Sequence, residues 1–132
     1  MSAIIPTFRY ADARAAIDFL CAAFGFERHL VVDGEGDAVA HAQLVLGRDG
    51  MIMLGTARDD AFGRLQRPPE GFVTSSPYIV VEDVDGHHAR AAEHGATIVH
   101  PPEDQAHGGR LYQAKDPEGN VWSFGSYDPW TD

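Results

Sequence analysis

The sequence predicts an α+β fold: two tandem βαβββ modules whose curved mixed sheets form a cup. Residues 4–55 and 74–125 repeat one layout, a short apolar strand, an Asp-started helix ended by Gly, then strands closed by a Gly turn. The landmarks recur at nearly constant spacing. Gly25 returns as Gly95 and Gly55 as Gly125 at one common offset, while Asp49-Gly50 returns as Glu118-Gly119 at an offset one position shorter. This order alternates too few helices for a doubly wound sheet. One domain over residues 1–132 follows, with 56–73 as linker between the modules and 126–132 as a short tail.

The elements read off in order. Ile4–Tyr10 alternates as a strand with Ile5, Thr7 and Arg9 on one face. Asp12 is an N-cap for a helix to Phe24, whose stripe is Ala16, Ile17, Leu20, Cys21 and Phe24, and Gly25 ends it. Strands follow at Phe26–Asp33, Ala38–Gly47 and Met51–Gly55, the first two joined by Asp33-Gly-Glu-Gly36. In the second copy Tyr78–Val81 is a strand, and Asp83 or Asp85 caps a helix ending at Gly95. Thr97–His100 is a strand stopped by Pro101-Pro102, and Arg110–Lys115 and Val121–Gly125 complete the set. The linker, with Pro68-Pro69, is too long for a turn and reads as a connector across the domain or a lid.

Composition narrows the classes. A net charge of −10 opposes nucleic acid, and no run approaches the ~20 apolar residues of a membrane span. The start Met1-Ser-Ala-Ile-Ile-Pro6 lacks the pattern of a signal peptide, and the single Cys21 suits a reducing cytoplasm. The acidic surface serves solubility or attracts a cationic ligand.

Strand alternation places a ligand face. Ala40, Ala42, Leu44 and Leu46 form an apolar side for the helix, leaving His41 and Gln43 opposite. At the shorter offset, that of the Gly50 and Gly119 turns, His41 maps to Arg110 and Gln43 to Tyr112. Thr7 and Arg9 recur in rough register as Ser76 and Tyr78, and Met53 as Ser123. The candidate ligand-binding set is therefore Thr7, Arg9, His41, Gln43, Met53, Ser76, Tyr78, Arg110, Tyr112 and Ser123. Trp122 and Phe124 alternate to the helix side as core.

Three segments, Asp12-Ala-Arg-Ala-Ala-Ile-Asp-Phe-Leu-Cys-Ala-Ala-Phe-Gly-Phe26, Val81-Glu-Asp-Val-Asp85 with its helix, and Asp116-Pro-Glu-Gly-Asn-Val-Trp-Ser-Phe124, carry a resemblance. The chain resembles the vicinal oxygen chelate superfamily of glyoxalase I, extradiol dioxygenases and bleomycin-resistance proteins. The resemblance implies paired βαβββ modules, commonly in a homodimer. It also implies metal ligands on the first and last strand of each module, which fall here at Ile5, Met53, Ser76 and Ser123. None is His or carboxylate, so no metal and no cofactor is expected there. His41 alone with Gln43 is not a cage for a divalent ion. The expected function is a metal-free, small-molecule-binding or drug-sequestering protein of the cytoplasm. The alternatives are a divalent-metal-dependent lyase, isomerase or dioxygenase, or an enzyme with His41 as general base, and third a dimeric interaction module.

Overall fold

The computed structural model describes residues 3–66 and 72–131 of the 132. Pro68-Pro69 of the linker, the Met1-Ser2 start and Asp132 lie outside them. The first module is β1 (Thr7–Tyr10), α1 (Ala13–Phe24), β2 (Glu27–Asp33), β3 (Val39–Leu46) and β4 (Gly50–Thr56). A short α2 (Ala61–Leu65) follows, then β5 (Tyr78–Val80), α3 (Val84–Glu93), β6 (Thr97–Asp104), β7 (Arg110–Lys115) and β8 (Val121–Gly125). The sheets are ordered β1-β4-β3-β2 and β5-β8-β7-β6, each with its first strand parallel to its last. This is the expected α+β pair of βαβββ modules, with curved sheets that do not close into a barrel.

Local chemistry sets the helices. Asp12 accepts from the Ala15 N–H at 3.1 Å, and Gly25 closes α1 in the left-handed region at φ 87°, where a side chain is strained. Asp83 caps α3 in the same way through Gly86. Asp60 caps α2, which the composition of the linker did not reveal.

One strand boundary differs from expectation. Strand β6 runs through Pro101-Pro102 to Asp104. It is the edge strand of its sheet, and its pairing with β7 shifts register between His100 and Glu103, so neither proline interrupts a regular ladder.

The core lies between the modules. Trp122, Tyr10, Tyr112, Phe24 and Phe124 are fully buried, Phe8 stacks on Trp122 at 5.1 Å, and Phe24 meets Phe124 at 4.8 Å. Both ends of α1 are fastened to the second module. At its start, the Glu118 carboxylate accepts from the backbone N–H groups of Ala11 and Asp12, at 2.7 and 2.9 Å. At its end, Arg90 donates to the carbonyls of Ala22 and Cys21, and His87 Nε2 donates to that of Phe24 at 2.9 Å. Carbonyls left over at a helix C-terminus are thus met by α3.

His87 gives this junction a pH dependence. Its Nε2–H donates to Phe24, and in the neutral ring this tautomer leaves Nδ1, 2.6 Å from the Tyr112 hydroxyl, as an acceptor. Burial, with a smaller contribution from Arg90, lowers its pKa below the usual histidine value. The unfolded chain therefore binds this proton more readily than the native one. The stability from the neutral ring is fully present above about pH 6.5 and declines as pH falls below it. Urea midpoints measured across this range are expected to fall on acidification, and to fall less steeply in His87→Asn.

Candidate functional site

The registers decide which side chains share the open faces. Gln43 pairs with Met53 and Gln113 with Ser123. The third strands of the two modules are therefore related by the longer offset, that of Gly55 to Gly125, and not by the shorter offset of the turns. A slip of one residue moves a side chain to the opposite face of a sheet. Tyr112, expected in the cup, thus corresponds to Ala42 and points to the helices, fully buried between α3 and Phe124. Burial pushes its phenol pKa up. Leu111 and Gln113 take the open-face positions equivalent to His41 and Gln43.

On the second sheet the open face forms a cavity of about 300 Å³. Tyr78 and Ser123, which are register partners, lie at its base with Leu111. Tyr127, Pro129 and His107 also line it, with the His107 ring edge-on to Tyr127 at 5.1 Å. The Tyr78 hydroxyl donates to the Tyr127 carbonyl at 2.6 Å, tying the tail across the opening. Burial, and then the nearby Asp128 carboxylate, raises the pKa of Tyr78. Ser123 Oγ accepts from Gln113 Nε2 at 3.1 Å.

Arg110 stands at the rim, and its guanidinium is already matched. It donates to Asp85 and to Asp104, each at 3.1 Å, and both carboxylates raise its pKa. The shorter offset makes it the counterpart of His41 in the cup; in the fold its charge is turned toward α3.

On the first sheet Thr7 pairs with Met53, and His41 and Gln43 share that open face. Arg9 lies across Gly55 and donates to Gln66 Oε1 at 3.4 Å, bounding a groove of about 580 Å³ with Thr7, Ser75 and Glu118. Burial and the neighbouring Arg58 lower its pKa. Ser76 sits in the coil before β5, exposed, and lines neither cavity. Ala40 is also exposed rather than packed under α1, because the β2–β3 register shifts between Val32 and Asp33 and Val39 is buried instead.

The two-module topology is matched by sequence. The family model of the Glyoxalase/Bleomycin resistance protein/Dioxygenase superfamily matches residues 6–124. The chain belongs to that superfamily. It is 32% identical over 124 residues to an uncharacterised protein of Mycobacterium bovis, covering 93% of this chain and 82% of that one. A Mycobacterium tuberculosis relative has the same identity, with 73% of its own length covered. Among solved structures, TioX from Micromonospora sp. ML1 superposes with a TM-score of 0.76 at 30% identity, covering 95% of this chain and 98% of TioX. A superfamily member from Sphaerobacter thermophilus gives 0.68 at 27%, with the same coverage. Glyoxalase I from Zea mays gives 0.70 at 17%, across 95% of this chain and 44% of its own, a likeness of fold.

The superfamily's metal positions do not fit a divalent ion in this member. Ile5 and Ser76 precede β1 and β5, and the register partners across the sheets are Thr7 with Met53 and Tyr78 with Ser123. These offer a thioether and hydroxyls, and the Ser123 hydroxyl is engaged by Gln113. Among the described residues no helix is long and apolar enough to cross a membrane.

Proposed function

We propose that this superfamily member is a small-molecule-binding protein of the drug-sequestering kind, working in the cytoplasm without a divalent ion at the module ends. The ligand is a planar aromatic molecule, neutral or cationic, held in the second-sheet cavity. The observation that carries this is an aromatic-walled cavity of about 300 Å³ beside an arginine whose charge is already opposed by two carboxylates. A volume of that size is at the lower end of ligand sites. Tyr78 and Tyr127 offer faces for stacking, and Ser123 and Gln105 offer polar contacts. Asp128 beside Tyr78 and the net charge of −10 favour a cation over an anion. A pocket with a free Arg110, as the shorter offset implies, would instead favour an anion.

The protein acts as a homodimer, a reading supported by the exposure of Leu65, Phe72 and Trp130. Light scattering at twice the 14.3 kDa chain mass is expected, against a monomer mass if the reading fails. For the ligand, a thermal-shift panel of planar cations, neutral aromatics and planar anions is the test. Cations are expected to raise the melting temperature, because binding stabilises the native state by mass action. The absence of a shift across the whole panel contradicts a binder.

A further inference from the structure

The groove beside β1 holds a cation with no counter-ion among the described residues. Arg14, Arg28, Arg58, Arg64 and Arg110 each pair with an aspartate. Arg9 instead donates to the neutral amide of Gln66. The two carboxylates that could oppose it are committed elsewhere. Asp60, whose charge acts on Arg9, is held by Arg58 at 3.2 Å and by the Gly63 N–H at 2.7 Å. Glu118 lines the groove, but its two oxygens accept from the backbone N–H groups of Ala11 and Asp12. The consequence is visible in the titration of these groups: bonded aspartates raise the pKa of Arg14 and Arg110, while burial, and then Arg58, lowers that of Arg9. A guanidinium that has lost water without gaining an opposite charge is stabilised by an incoming anion.

The fold gives this charge a fixed seat. Arg9 pairs with Gly55 across the parallel β1–β4 ladder, and its guanidinium occupies the space that a Cβ at Gly55 would fill. In the second module Val80 stands in the place of Arg9, opposite Gly125. The charge therefore belongs to the first module and is not a requirement of the scaffold. Phe8, Leu65 and Val73 give the groove apolar surface, and Thr7, Thr74 and Ser75 bring hydroxyls to it. Its volume of about 580 Å³ lies within the range of small-molecule sites.

We propose that this groove is a second ligand site, which takes a small organic monocarboxylate anchored by Arg9. A carboxylate matches the planar fork of a guanidinium, and the bond to Gln66 uses only Nε, leaving the terminal nitrogens to donate. One unopposed positive charge calls for one negative charge, and Glu118 in the lining disfavours a dianion such as phosphate. The apolar residues take the carbon chain of the acid. The inference is independent of the cation reading, because that cavity is on the other sheet.

Ligand-observed NMR titration of the full chain with sodium hexanoate, beside the neutral hexanamide, tests it. Hexanoate has no ring to stack on Tyr78 or Tyr127, so it separates this groove from the other cavity. The expected result is saturable hexanoate binding near one per chain, with hexanamide about tenfold weaker or more. Arg9→Gln should weaken hexanoate about tenfold, and Arg9→Lys, which keeps the charge without the fork, should weaken it less. Arg9 is only partly buried, so both variants should melt with the wild type. Tyr78→Ala should bind hexanoate as the wild type does. Full-strength binding in Arg9→Gln, equal affinity for hexanoate and hexanamide, loss of hexanoate in Tyr78→Ala, or no saturation at tens of millimolar overturns the proposal.

Discussion

Replacing Asp116 with Ala is expected to destabilise the protein by about 2–5 kcal/mol, because two buried donors lose their common acceptor. Asp116 Oδ2 accepts from the Tyr10 hydroxyl at 2.6 Å and from Trp122 Nε1 at 3.1 Å, and both of those side chains are fully buried. Oδ1 accepts from the backbone N–H groups of Glu118 and Asn120, each at 3.1 Å, which shapes the turn before β8. That turn carries Glu118 to the start of α1, so one carboxylate orders the contact between modules twice. Burial, and then the Asp116 charge, drives the Tyr10 pKa far above the usual phenol value, so the hydroxyl remains a donor throughout the accessible pH range. At roughly 3 °C per kcal/mol for a chain of this size, the melting temperature should drop by about 6–15 °C. Asp116→Asn keeps one acceptor oxygen and should lose less than half as much. Equal stability of wild type and Asp116→Ala in urea denaturation contradicts the role given to this carboxylate.

Gly125→Ala is expected to weaken ligand binding about tenfold while leaving the fold. A Cβ at Gly125 would stand 2.6 Å from the Tyr78 hydroxyl and 2.9 Å from its ring. Tyr78 is about two-fifths exposed, so its ring can swing away instead of forcing the backbone. The swing breaks the hydroxyl's bond to the Tyr127 carbonyl and takes the aromatic floor out of the cavity. Tyr78→Ala removes the same ring directly. Each variant should weaken a stacked ligand about tenfold, since aromatic contacts of this kind contribute about 0.5–1.5 kcal/mol beyond their area. Thermal shifts of both variants with the ligand that most stabilises wild type measure this. A full shift in both excludes Tyr78 from the site.

How much was legible in the sequence depends on the kind of signal. Helix α1 was readable end to end, because Asp12 and Gly25 carry distinct capping chemistry on either side of an apolar stripe. Strand β8 and the buried Trp122 and Phe124 followed from alternation within one short strand. Alternation failed where it had to be carried across modules. The turns at Gly50 and Gly119 repeat at the shorter offset, whereas Gln43 and Gln113 on the strands before them repeat at the longer one. That single position sends Tyr112 and Arg110 to the wrong face and passes over Leu111. The contact of His29 with Gln43 was invisible for another reason: a bulge at His29 breaks the period of two on which faces are assigned, and strand composition does not announce it. For His87 the sequence gives only a place on a helix next to His88; its burial comes from α3 packing on α1, a contact between modules that no local pattern encodes.

The second-sheet cavity is expected to take a planar cation with no help from a metal at the module ends. Fluorescence titration of chelator-treated protein with proflavine, a planar cation, tests it most directly when run beside the anion anilinonaphthalene sulfonate. Saturable proflavine binding near one per chain is expected, weakened in both Tyr78→Ala and Gly125→Ala, with weaker binding of the anion. Tighter binding of the anion, or proflavine binding unchanged in both variants, would contradict it.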